Sequence, residues 1–187
     1  MSAGLVQTYR AFAFNNAWAN YRLLKACTAL SQADFEATRT SFFPSLQLTL
    51  NHICVIDLFY IDALEGGWLG PKAFENDAPY PSVAELMPAQ AALDNRLISV
   101  CNELTPERLS ADVRVNRDTR IQIERCDRLL MHLFQHQIHH RGQAHAMLSG
   151  TAVEPPQLDE FFAAGEAPLR ADEFARLGWT EDTVWGR

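Results

Sequence analysis

The chain has 187 residues, 48% of them hydrophobic and 21% charged, which excludes general disorder and allows one domain with a full core. Lys plus Arg number 16 against 23 Asp plus Glu, a formal net charge of −7, with no Lys/Arg run to serve as a nucleic-acid footprint. The apolar run over residues 53–56 stops at Asp57, far short of a membrane span.

Proline placement divides the chain, because a proline inside a helix removes a hydrogen bond and crowds the preceding turn. Proline is absent from residues 1–43, 45–70 and 107–154. The first predicted helix covers residues 5–30, with Tyr9, Phe12, Ala13, Leu23, Leu24, Cys27 and Leu30 recurring at helical steps. The second covers residues 44–65, with Pro44 at its first position and Gly66-Gly67 as its stop. The third covers residues 82–104, with Pro88 calling for a kink or a later start. Residues 105–120 read as a long loop or one short extended piece, from the alternation in Asp112-Val113-Arg114-Val115. The fourth helix covers residues 121–148 and stops at Ser149-Gly150. Beyond residue 150 the chain is first Pro-rich and then aromatic, with Phe161, Phe162, Phe174, Trp179 and Trp185. That content calls for a packed appendage. The expectation is an all-α, four-helix bundle over residues 1–150 with a small C-terminal extension, residues 151–187, packed on it.

Cys27, Cys54, Cys101 and Cys126 form no C-x-x-C pair and each sits in an apolar helical pattern. They read as small core residues of a reducing compartment. No charged-then-apolar N-terminal segment precedes a cleavage-like site, so a cytoplasmic protein is expected.

Five of the six histidines lie between His132 and His145, and the sixth is His52. His132, His136 and His140 recur every four residues and share one helix face. Imidazoles so placed can reach one metal ion, although two from a single helix hold it weakly and a third must come from elsewhere. At about 100° per residue, Leu129, Leu130, Leu133, Ala144, Met147 and Leu148 define an apolar arc. His140 falls inside it and His136 at its edge, with His132 and His139 turned toward solvent or an oligomer surface. His52 lies on an apolar helix with Leu48, Val55 and Phe59. Alone it reads as a core histidine; as a set, the three favour a metal. Gly142 costs about 1 kcal/mol inside a helix relative to alanine, which close approach of another backbone would explain equally well as a tolerated defect.

Four stretches then resemble the DinB family. They are Asn15-Asn16-Ala17-Trp18-Ala19-Asn20 with Leu23-Leu24, and Asn51-His52-Ile53 with Asp57 and Tyr60. The most specific is His136-Gln137-Ile138-His139-His140-Arg141-Gly142-Gln143, and the last is Pro155-Pro156-Gln157-Leu158-Asp159-Glu160-Phe161-Phe162. They span roughly residues 5–162. The resemblance implies a four-helix bundle with up-down-down-up directions, usually a homodimer. It also implies a divalent metal held by His52, His136 and His140.

Three neutral imidazoles leave a coordination position open, as catalytic sites do, and Zn²⁺ or Ni²⁺ suits them. Such a site fits a metal-dependent hydrolase acting on a small molecule, and the resemblance, through the family's wider fold group, implies a low-molecular-weight-thiol transferase as the other choice. No catalytic residue stands out. Asp57, Tyr60, Glu124 and Asp127 are candidate bases only, each read first as a surface or supporting group, and Arg141 reads as a partner for Asp57 or an anionic substrate, or as an exposed charge. Two other readings stay open. One is a non-enzymatic dimeric module with a structural or vestigial metal; the other is a pH-responsive histidine surface centred on His132 and His139.

Overall fold

The computed structural model describes residues 2–186. Four long helices carry the architecture: α1 (Ser2–Cys27), α3 (Leu46–Leu64), α4 (Val83–Asn102) and α6 (Cys126–Leu148). The short α2 (Gln32–Glu36) bridges the first two, and α5 (Pro106–Ser110) precedes a hairpin of β1 (Asp112–Asn116) and β2 (Ile121–Arg125). Helices α7 (Ala167–Leu177) and α8 (Glu181–Trp185) follow the bundle.

Side-chain contacts give the helix directions. Arg10 bonds Asn102 while Asn20 bonds Asp94, so α1 and α4 are antiparallel. Gln90 bonds Asp57 and Arg96 bonds Glu65, so α3 and α4 run together. Tyr9 bonds the carbonyl of Asp127 and Arg141 bonds Asn20, so α6 runs with α1. The order is up-down-down-up. The connection from α3 to α4, residues 65–82, is the crossover this order demands, because those two helices are consecutive and parallel. Apolar side chains from all four helices, Trp18, Leu23, Leu46, Ile53, Leu86, Leu97, Leu130 and Leu133 among them, fill the centre.

Several boundaries differ from the sequence expectation, each for a local reason. The first helix ends at Cys27, because Ser31 leaves the helix and caps α2 by accepting from the Asp34 amide at 3.1 Å. The second begins at Leu46, not Pro44: Ser45 is its cap and accepts from the Leu48 amide at 3.1 Å. Pro88 sits inside α4 without ending it. Pro88 and Ala84 are both exposed, so the carbonyl that loses its partner faces water. A capping box of Ser82 with Glu85 sets the start of that helix.

The largest difference is at residues 121–125, predicted as helix and observed as a strand. Ile121 and Ile123 alternate with Gln122 and Glu124, a period of two, and β2 pairs antiparallel with β1. Val113 and Val115 face the core, while Ile121 and Ile123 face outward and are exposed. All four cysteines are buried and free. Burial raises each thiol pKa, that of Cys27 to about 12, which leaves them unreactive.

The chain beyond residue 150 is tied to α1 by Arg22. Its guanidinium lies over Trp18, meets Glu160 at 3.0 Å and Glu173 at 3.2 Å, and donates to the carbonyls of Gln157 and Leu169. Arg170 is fully buried, lies over the rings of Phe161 and Phe174, and holds Glu181 at 2.9 Å. Arg22→Met leaves two carboxylates without their cation. It should cost about 1–3 kcal/mol of stability in urea denaturation and open residues 151–186 to limited proteolysis before the bundle.

Candidate metal centre

The antiparallel packing of α3 on α6 brings His52 opposite His136 and His140. The Nε2 atoms of His52 and His136 are 3.0 Å apart. Ring centroids are separated by 5.0 Å for His52 and His136, 4.7 Å for His52 and His140, and 4.3 Å for His136 and His140. One ligand nitrogen from each residue lies within 4.8 Å of the others. His140 is buried, whereas His52 and His136 are half-buried, so the cluster opens toward the surface on their side.

The surroundings favour the neutral, metal-ligating form of each ring. Burial lowers the His52 pKa to about 4, with His140 adding to the effect and the charge of Asp77 opposing it. Burial lowers that of His136 to about 3, with the neighbouring imidazoles adding to it. His140 is also lowered, first by burial. Its Nδ1 donates to Gln143 Oε1 at 2.8 Å, which leaves Nε2 as the free lone pair. The Gln143 amide in turn donates to His139 at 3.2 Å. Phe43 covers the inner rings, 4.2 Å from His52 and 5.6 Å from His140 between centroids. His136 Nδ1 is buried without a partner, so the chain supplies no orienting acceptor there.

Beside the imidazoles a buried polar network joins all four long helices. Asp94 accepts from Asn16 at 3.1 Å, Asn20 at 2.9 Å and Gln90 at 3.3 Å. Asp57 accepts from Gln90 at 2.7 Å and from Gln137. Arg141 donates to Asn16 and, at 3.0 Å, to Asn20. Burial raises the pKa of both carboxyls, and the like charge of Asp94 pushes Asp57 further up. One guanidinium faces two carboxyl groups, so the pair retains a proton toward neutral pH.

These positions revise several expectations. Arg141 is neither an exposed charge nor open to substrate: it is 4% exposed and satisfied by the asparagines, with Asp57 and Asp94 as its counter-charges. Asp57 is fully buried and points into the network, and is not a surface group. Tyr60 accepts from Arg117 at 2.9 Å, Glu124 lies on the hairpin, and Asp127 pairs with Arg125 at 2.6 Å. His132 and His139 are exposed, and His145 bonds the carbonyl of Pro156 at 2.9 Å. A Cβ on Gly142 would meet open space, so no backbone approaches it. The sequence reading assigns no role to Phe43, Asp77 or Asp94, and includes Gln143 only as the end of the stretch of residues 136–143. Asn16 and Asn20, like Gln90 and Asp94, are polar pairs four apart on otherwise core-facing stripes, and that spacing was the available signal.

With this geometry in view, the comparisons define the class: a helical bundle of the DinB type. The chain matches the DinB family over residues 2–172 and belongs to it. A crystal structure of a DinB-like protein from Bacillus cereus ATCC 10987 resembles it with a TM-score of 0.59 at 16% identity. The match covers 78% of this chain and 94% of that one, and shows a shared fold. No curated protein matches the sequence. Among the described residues, no helix is long and apolar enough to cross a membrane.

Two outcomes follow from the electrostatics. Protons compete with a metal only where the imidazoles titrate, and these are displaced below the ordinary 6.5. Zn²⁺ affinity should therefore stay level as pH falls through about 6.5 and drop only below about pH 5, as read by competition with a chromophoric chelator. For the carboxyl pair the folded pKa lies above the ordinary 3.8, so its contribution to stability is complete at low pH and lost as pH rises. Asp94→Asn keeps an acceptor for the three amides and removes one charge. It should flatten the decline of Tm between about pH 5 and about pH 8, whereas Asp57→Asn with Asp94→Asn leaves Arg141 uncompensated and costs about 3–5 kcal/mol.

Proposed function

We propose that this DinB-family chain is a divalent-metal enzyme in which His52, His136 and His140 hold Zn²⁺ or Ni²⁺ and leave a coordination position for a small-molecule substrate. The reaction class is hydrolysis or transfer of a low-molecular-weight thiol. The observation that carries the reading is the convergence of three neutral imidazoles from two helices, with ligand nitrogens within 4.8 Å of one another. A bound ion would lower the pKa of a coordinated water or thiol toward neutrality.

The chain's own residues do the rest. Gln143 holds the ring of His140 and its tautomer. Phe43 shields the His52 and His140 rings from water and narrows approach to the half-buried side. The field of Asp77 reaches His52 from the α3–α4 connection. We place the working unit in residues 1–150, with residues 151–187 as an extension held on it. The same reading takes the protein as a cytoplasmic homodimer; Met131 and Ile138, exposed seven residues apart on α6, together with exposed Phe162 offer an apolar contact surface.

Metal content is the direct test. After purification without a nickel column, elemental analysis should find about one divalent ion per chain in the wild type and almost none in His52→Ala with His136→Ala. Equal and negligible metal in both dismisses the enzyme. Gln143→Ala should keep the fold and weaken Zn²⁺ binding about tenfold or more, as read by chelator competition.

A further inference from the structure

Beyond the imidazole cluster, α6 continues toward its N-terminus through His132 into a cavity of about 250 Å³. Tyr60, Arg117, Gln122, Glu124, Arg128 and His132 line it. A series of ring contacts joins the two: His136 to His132 is 6.3 Å between centroids, and His132 to Tyr60 is 5.2 Å. The cavity therefore begins about one helical turn, roughly 5 Å, from the imidazole cluster.

Arg117 is its fixed element. The guanidinium lies 4.8 Å from the Phe59 ring centre and 5.6 Å from that of Tyr60. Its Nε donates to Gln122 at 2.9 Å and its Nη2 to the Tyr60 hydroxyl at 2.9 Å. These contacts hold the plane in place and leave the Nη1 hydrogens and one on Nη2 undirected. Arg128 adds a second, exposed guanidinium. Glu124 opposes them, but it already accepts from Gln122 at 3.3 Å and sits 3.9 Å from Arg128. Two guanidiniums against one carboxylate leave a single positive charge. His132 stands at the edge nearest the three-histidine cluster.

We propose that this cavity is the subsite for a carboxylate at the far end of the substrate, whose reacting end meets the three-histidine site. A single excess charge and a pre-held guanidinium suit a monoanionic, planar carboxylate. The substrate class is then an elongated carboxylic acid, with its reactive group about one to two helical turns from the carboxylate. The inference rests on the metal reading for its account of the substrate, while anion binding itself needs no metal.

Two arms test it on the full chain. In the first, glutarate is titrated into metal-free protein while the backbone amide signals of β2 and of the first turns of α6 are followed by NMR. A saturable shift is expected, weakened about tenfold or more by Arg117→Gln with Arg128→Gln. Arg128→Gln alone changes an exposed side chain that leaves the fold intact and should weaken binding in part, whereas Glu124→Gln should tighten it. In the second arm, Zn²⁺-loaded protein is titrated with two alkyl hydroxamates long enough to span the rings, one ending in a carboxylate and one in its methyl ester. The acid should bind about tenfold tighter, and the arginine variants should erase the difference.

Absence of a saturable glutarate shift, or binding unchanged by the arginine variants, overturns the subsite. Equal affinity of the two hydroxamates overturns its link to the metal. If neither hydroxamate binds while glutarate does, the metal reading fails, and with it the assignment of the cavity to a substrate.

Discussion

The packing of α3 against α6 is the constraint from which the site follows. Antiparallel helices meet at fixed pairs of positions, and here the pairs run from His52 opposite His136 and His140, through Ile53 and Asp57 at Gln137, to Tyr60 at His132. A slide of one turn, about 5.4 Å, would carry His52 past one of its two partners and break up the three-histidine cluster. The cluster therefore depends on whatever holds these two helices in register.

Apolar packing alone does this poorly, since leucine and isoleucine surfaces tolerate repacking. The buried polar network is more demanding. Gln137 and Arg141 of α6 follow His136 and His140 by one residue each, so they turn toward the bundle interior while the histidines face α3 at its edge. Gln137 reaches Asp57, Gln90 couples Asp57 to Asp94, and Asn16 and Asn20 couple Asp94 to Arg141. A misregistered helix would leave a carboxylate or a guanidinium buried and unpaired, at a cost of several kcal/mol. The network thus acts against alternative registers more than it adds to stability, and it fixes the backbone from which the imidazoles project.

How much of this was legible in the sequence depends on whether the signal is periodic. The four long helices were visible because proline is kept out of them and apolar residues recur along them, and the four-residue steps from His132 to His140 placed the histidines relative to the core. The hairpin was hidden because a five-residue strand abuts a helix with no side-chain cap between them, so residues 121–148 read as one run. Arg141 and Asp57 were ambiguous because burial of a charge depends on partners that lie far away in sequence, on α1 and α4. Phe43 carries no signal of its own, and Gln143 stands in the stretch of residues 136–143 without anything there to give its role. A glutamine one turn after a histidine, or a phenylalanine before a proline, acquires meaning only when a third element is folded against it.

The chemistry along α6 can be followed by face. Its interior face carries Gln137 and Arg141, which tie the bundle together. The neighbouring face carries His140, His136 and His132 in ascending order of exposure, and each step along it moves from the protein core toward solvent. His140 is buried and held by Gln143, His136 is half-buried, and His132 stands at the mouth of the arginine-lined cavity. One straight row of imidazoles thereby spans a dry, low-dielectric end suited to binding a cation and a wet, positively charged end suited to holding an anion. The four-residue repeat that makes the row is the least expensive way for a single helix to place both ends on one line.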